Sequence, residues 1–284
     1  MKDQLVAYHY CDLDTFLSII KNKQLFLSDP LKMNDELEAK WYLQILNESD
    51  SGNDSILQRM RERSGINFTY DDFLNALNER GQNNVFIACF SRNRDSLGQW
   101  RGYAKDGTGV AIGFDLEKLA VAYNLYINEI EYCDQLIMEE EERVEEVVAD
   151  TIQTVFSEYG VPKQDEIEIF INELMPILVR YKNPSFKEEE EIRLIYEDKP
   201  LFDKLLDKWN AFEEPVSFKE LSLDYRVING SDITRYATLN LSNQSFTELI
   251  IGPKCKVNIS EAKNLIKKYW KEDISISKSK SSYR

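Results

Sequence analysis

The sequence predicts an α+β fold with a mixed or antiparallel central sheet carrying helical insertions. Three observations lead there. Apolar runs of strand length recur along the whole chain, at Leu5–Tyr10, Val85–Phe90, Val110–Phe114, Ile192–Tyr196, Leu223–Ile228 and Phe246–Ile251. Segments of helical spacing lie between these runs instead of forming a block of their own. The 284 residues are 43% hydrophobic, enough for a sizeable core. A single domain over residues 1–284 is therefore expected, with helical insertions at about 38–80 and 134–184.

Leu5–Tyr10 reads as a buried strand. Asp12 then caps a helix whose apolar residues Leu13, Phe16, Leu17 and Ile20 follow i, i+3, i+4, i+7 spacing. That helix should end near Asn22, where Lys23–Ser28 alternates weakly and Asp29-Pro30 suggests a turn. Residues 38–80 carry helical patterns broken by the loop-like SDSGND at 49–54. Val85–Phe90 is apolar at every position, which predicts a strand buried on both faces. Lys105–Gly109 looks like a turn into the Val110–Phe114 strand, after which Asp115 caps a short helix. An acidic run at Glu139–Glu146 precedes a helical rhythm through Val147, Val148, Ile152 and Phe156, and a second helix is expected over Asp165–Tyr181, bent at Pro176. Gly252-Pro253 stops the Phe246–Ile251 strand. A helix capped by Ser260 runs to Lys271, and Ile274–Ser277 alternates as a half-buried strand.

Composition excludes more than it selects. Thirty-five basic and fifty acidic residues give a net charge of −15, which repels phosphate backbones and anionic membranes, so bulk nucleic-acid binding is not expected. The four cysteines lie far apart, and one histidine, His9, cannot complete a multi-histidine metal site; no metal is expected. The start lacks the pattern of a signal peptide and no stretch reaches the ~18 apolar residues of a membrane span, so a cytoplasmic protein without membrane contact is expected. Phosphate-binding glycine motifs and the G-x-S-x-G elbow are absent, and any triad would have to use His9 itself.

Three places carry candidate chemistry. His9, in Tyr8-His9-Tyr10 at a strand end, can act as a base, bind a ligand, or be satisfied in the core. Ser91–Tyr103 combines a strand-end hydroxyl with Arg92, Arg94, Arg101, Trp100 and Tyr103, a set able to hold a phosphate and stack a ring; a loop whose tryptophan plugs the core is the plainer reading. If Lys187–Arg193 is extended, Glu189, Glu191 and Arg193 share one face, where two carboxylates and a guanidinium suit acid/base work or stabilisation of a cationic transition state; a solvated charge run is the alternative.

The ordered set YHY, SDPLKMNDELE, CFS, QWRGYA, GVAIGF, FKEEEEIRLI, LIIGP and KSKSSYR resembles, from near the first residue to near the last, the uncharacterised bacterial family called domain of unknown function 2971. That name supplies no activity. More distantly, a strand ending in histidine, then a helix and a short second strand, is similar to the opening of ADP-ribosyltransferase-like folds, which have a split-sheet core. The resemblance implies NAD as substrate. It places His9 on the ribose, Ser91 or Tyr103 near the nicotinamide, and Glu191, helped by Glu189, at the ribosyl carbon. Arg92, Arg94 or Arg101 would meet the pyrophosphate, and Trp100 or Tyr103 would pack on the ring. It further implies a defence or toxin-type effector modifying a nucleic acid or protein. No clear S-T-S strand follows CFS, which leaves the middle position open between Ser91 and Tyr103. Two other classes remain: a non-catalytic sensor that binds a nucleotide or small ligand, and a metal-dependent nuclease using Asp35, Glu38, Glu189 and Glu191.

Overall fold

A computed structural model describes residues 5–33, 39–48, 62, 69–79, 84–135, 171–172, 174–198, 219–270 and 273–283. Strand β1 (Val6–Cys11) passes through the Asp12 cap into α1 (Leu13–Asn22); the Asp12 carboxylate accepts the Thr15 amide and Lys23 ends the helix at φ 53°. β2 (Gln24–Ser28) follows at once. Asp29 then starts a 3₁₀ turn over Pro30–Lys32, so the expected turn is a short helix with proline at its tolerated first position. Helices α2 (Trp41–Glu48) and α3 (Tyr70–Glu79) precede β3 (Val85–Ser91) and α4 (Leu97–Gly102). β4 (Val110–Asp115) feeds α5 (Leu116–Tyr123), capped by Asp115 as predicted. Next come β5 (Tyr126–Glu129), β6 (Glu131–Tyr132), β7 (Tyr181–Lys182) and β8 (Glu191–Glu197). β9 (Ser222–Ile228), β10 (Asp232–Asn240), β11 (Phe246–Ile251), α6 (Ile259–Tyr269) and β12 (Ser275–Lys278) complete the described elements. The fold is α+β, with a mixed, mostly antiparallel sheet.

Ten strands form that sheet, and β11–β12 is its parallel pair. Its decisive feature is a fork at β3. One edge of β3 pairs with β8 along its whole length, from Val85↔Glu197 to Ser91↔Glu191. The other edge meets β1 only at Tyr8↔Ser91 and β2 only at Ser28↔Ile87. β1 stays with β4 over Val6–Cys11 and β2 stays with β10, so two leaves diverge between those two bridges. Ala88, Cys89 and Phe90 face the gap. The main core of Phe16, Ile20, Leu27, Phe86, Phe114, Ile192 and Trp270 lies on one side of the sheet with α1 and α6. A smaller cluster of Tyr8, Tyr10, Trp100, Ala104 and Ile250 seats α4 on β1 and β11.

The loop holding α4 is closed by two distant contacts. Gly109 packs so tightly that a Cβ there would lie 2.1 Å from the Cys11 carbonyl oxygen, which accounts for glycine at that place. The C-terminal residues also fold back. Ser279 Oγ and the Lys280 amide donate to Asp95 at 2.6 and 2.7 Å, and Tyr283 donates to Asp106 at 2.5 Å with Lys254 over its ring.

Several expectations are corrected. β10 and β5 escape the periodicity, because in DITRYATLN charged and hydroxylated residues occupy positions that pairing with β2 and β9 half-covers. The helix expected to reach Tyr181 stops at 178; Tyr181 and Lys182 instead pair in parallel with Glu131 and Tyr132, and Tyr181 stacks on Tyr42 at 4.0 Å. Lys187–Glu190 is not extended: a 3₁₀ helix spans Pro184–Glu189, Glu190 is left-handed at φ 43°, and β8 begins at Glu191. Residues 49–54, the acidic run at 139–146, the helical rhythm through 156 and the start of the 165–181 helix lie outside the described residues.

α6 is capped by Asn258 and not by Ser260. Asn258 accepts the Glu261 amide at 2.8 Å while Glu261 reaches back to the Asn258 amide, a reciprocal capping box. Asn258→Ala should therefore cost about 1 kcal/mol, read as a lowered urea midpoint with unchanged slope, whereas Ser260→Ala should leave the midpoint in place.

Candidate functional site: a cleft at the fork of the sheet

The gap between the diverging leaves is a cleft of about 200 Å³. β1 contributes Tyr8, His9 and Tyr10, β2 contributes Phe26 and Ser28, and β3 contributes Ile87–Phe90; Gln99 and Tyr103 close it from α4, and Lys182, Glu189 and Glu191 from the β7–β8 region. A second depression of about 390 Å³ adjoins it, lined by Gly98, Gly102, Ser185, Phe186 and Glu188. Gln99, Tyr103 and Glu189 line both, so the two meet at that trio.

His9 stands where β1 leaves β3. Its Nδ1 lies 3.2 Å from the Cys89 carbonyl oxygen. A carbonyl only accepts, so Nδ1 carries the proton and Nε2 presents a lone pair. Burial lowers its pKa below the ordinary 6.5, keeping the ring neutral. Phe90 meets the imidazole edge to face at 5.9 Å.

A charged relay forms the opposite wall. Arg193, fully buried, donates through Nε to Glu191 Oε1 at 2.6 Å and through Nη1 to the Val179 carbonyl at 2.7 Å. Lys182 Nζ bridges Glu191 Oε2 at 2.9 Å and Glu189 Oε2 at 2.7 Å. Glu189 Oε1 accepts the Tyr103 hydroxyl at 2.7 Å. Burial on its own would raise the pKa of Glu191, but the charges and hydrogen bonds of Arg193 and Lys182 outweigh it and bring the carboxyl down to about 2. Cys89 also donates to this carboxylate. Burial, and then the hydrogen bond to Glu189, push the Tyr103 phenol far up, so it stays protonated as a donor.

Of the residues singled out in the sequence, His9, Tyr103, Glu189 and Glu191 thus converge on one cleft. Ser91 does not line it: the hydroxyl donates to the Glu189 carbonyl at 2.7 Å and accepts the Asn93 amide, which fixes the turn that presents Glu189. Trp100 is fully buried against Tyr10 at 4.7 Å with its indole on Asp95, leaving no face for a cofactor ring. The three arginines lie elsewhere. Arg92 pairs with Glu129, Arg94 with Glu248 and Ser277 at 2.7 and 2.9 Å, and Arg101 sits 5.5 Å over the Tyr283 ring. None of these three guanidinium groups lines the cleft, where the sequence reading set them against a pyrophosphate.

Two cleft residues went unnoticed in the sequence. Lys182 gave no local signal, since it sat at the end of an expected helix. Gln99 opens the QWRGYA motif, but its aromatic and basic neighbours drew the chemistry. The set proposed around a metal changes too. Asp35 and Glu38 lie outside the described residues, and the Lys182 ammonium occupies the space between the other two carboxylates, where a divalent ion would have to sit. Among the described residues no group of three or more metal-ligating side chains occurs, and no helix is long and apolar enough to cross a membrane.

Fold and site together define an α+β protein with a cleft at a fork in its sheet, walled by aromatic and charged side chains. Residues 99–194 match the model of a family described as "Protein of unknown function (DUF2971)", in agreement with the resemblance read from the sequence. The matched segment runs from Gln99 through Leu194 and contains every member of the relay, while β1 to β3 lie outside it. No curated protein and no solved structure matches the chain.

Because the folded pKa of Glu191 lies below its ordinary 4.5, its contribution is present above about pH 4.5 and is lost as pH falls towards 2. Urea unfolding across that window should show a loss on the order of 3 kcal/mol in the native protein. Glu191→Gln removes the carboxylate that Arg193 and Lys182 share and leaves Glu189 as the carboxylate on Lys182, so it should already be destabilised by roughly 3 kcal/mol at pH 7 and lack that part of the acid slope. An unchanged slope in the variant would remove Glu191 from this role.

Proposed function

We propose that the cleft binds NAD and promotes ADP-ribosyl transfer. The observation that carries this reading is the convergence of His9, Tyr103, Glu189 and Glu191 on one cleft, although the residues come from three separate stretches of sequence. In the transfer, the bond between the ribosyl carbon and the nicotinamide nitrogen breaks and its electron pair leaves with neutral nicotinamide. The ribosyl carbon and ring oxygen share the positive charge that develops. A lone pair of the acceptor, a macromolecular group or water, then bonds to that carbon, and the proton it releases passes to a carboxylate. A fixed carboxylate beside this carbon gains interaction energy in the transition state that it lacks in the ground state.

The relay argues for Glu189 in that position. Glu191 already faces two cations, Arg193 and Lys182, which neutralise it and make it a positioning group for Lys182. Among the described residues Glu189 shares Lys182 and otherwise meets only the neutral Tyr103 hydroxyl as a side-chain partner, and it borders both depressions. His9 Nε2 would accept a ribose hydroxyl, and the Tyr103 ring would flank the nicotinamide.

The neutralisation of Glu191 also favours a second reading, a nucleotide sensor that binds without turnover. Nicotinamide release from NAD separates the two. The transfer reading expects release by the native protein, lowered about 10²–10³-fold in Glu189→Gln with NAD still raising the thermal midpoint of the variant. Stabilisation by NAD without release would favour the sensor, and neither effect would overturn both.

A further inference from the structure

Gln99 is the one cleft-lining side chain whose hydrogen-bonding groups are all uncommitted within the described residues. It is only 7% exposed, yet its amide has no hydrogen bond, while its backbone is held by the Ser96 cap of α4 at 3.4 Å. Its neighbours differ. Tyr10 donates to Asn93, Tyr8 to Glu248, Tyr103 to Glu189, and Ser28 accepts Arg226. The side chain faces the cleft with its carbonyl and NH₂ unpaired among the described residues, so both are open to a ligand that enters there. Helix α4 is rigidly seated by Trp100, so Gln99 is aimed by a fixed element.

We infer that Gln99 reads a planar group of the ligand that offers a donor and an acceptor side by side, and that this group is the nicotinamide carboxamide. A glutamine amide presents one carbonyl and one NH₂ and can pair with a primary carboxamide through two antiparallel hydrogen bonds. The choice of this end of the ligand rests on the NAD reading above. Gln99 shares with Glu189 the junction of the two depressions, so the end of the ligand whose glycosidic bond meets Glu189 is also the end that meets Gln99. The inner cleft, at about 200 Å³, is smaller than the ~300–1,000 Å³ of typical ligand pockets, and a dinucleotide must therefore extend through the junction into the second depression.

The test is a competition between NAD and nicotinic acid adenine dinucleotide, in which a carboxylate replaces the carboxamide, on the native protein, Gln99→Met and Gln99→Glu. The ratio of the two affinities is read on one protein sample at a time, so a general weakening of the site does not alter it. The native protein should prefer NAD by about tenfold or more. Gln99→Met should bring the ratio close to one, and Gln99→Glu should widen it beyond the native value by repelling the acid. The same ratio in all three proteins, with NAD bound, would overturn the role of Gln99 and leave the NAD reading standing. Failure of the native protein to bind either dinucleotide would overturn both.

Discussion

The bridge from Lys182 to two carboxylates is the constraint around which the site is organised. An ammonium removed from water is tolerable only where anions replace its hydration, and Glu189 and Glu191 do so at 2.7 and 2.9 Å. That requirement fixes much else. β7 must lie close enough to β8 for Lys182 to reach Glu191, which its short parallel pairing with β6 achieves. The left-handed Glu190 turns the chain so that Glu189 and Glu191, two residues apart and in different kinds of backbone, still meet one cation. Arg193 completes the neutralisation from beneath, and Tyr103 carries the network to α4.

The fork supplies the space that this wall faces. A strand has two edges, and β3 commits one of them wholly to β8. On the other edge it holds β1 and β2 by single bridges, and the backbone between them is outside the ladder that a closed sheet would supply. His9 answers part of that need by donating to the Cys89 carbonyl, so the same contact that satisfies the open edge sets the tautomer of the ring. Structure and chemistry share one hydrogen bond here.

Much of the fold was legible where burial is complete. VFIACF and GVAIGF are apolar at nearly every position because both faces of β3 and β4 are covered, and Asp12 and Asp115 announced their helices through capping chemistry. β10 was hidden because an alternation of threonine, arginine and tyrosine carries little apolar contrast. At the site, His9, Glu189 and Glu191 were legible as unusual residues in or beside apolar strands, though His9 lies within β1 and Glu189 just ahead of β8. The common face of Glu189, Glu191 and Arg193 was predicted from an extended segment, but Glu189 and Glu191 meet through a 3₁₀ helix and a left-handed residue, and Lys182 draws the two carboxylates together. Lys182 and Gln99 acquire meaning only through tertiary neighbours: one looks like a helix end in sequence, and the other like an ordinary polar residue beside a tryptophan. Trp100, Arg94 and Arg101 show the converse, since conspicuous residues were drawn into core and surface contacts.

The fold-back of residues 279–283 onto Asp95 and Asp106 bears on the order in which the molecule can be made. Synthesis proceeds from the N-terminus, and β1 is available long before β11, β12 and the tail that brace α4 against it. Asp95 and Asp106 flank the helix that carries Gln99 and Tyr103, so the contacts of residues 279–283 brace that helix at both ends. The loop that places Gln99 and Tyr103 opposite His9 is thus held by residues 177 to 185 positions further along the chain, so the cleft is built from contacts of high sequence separation.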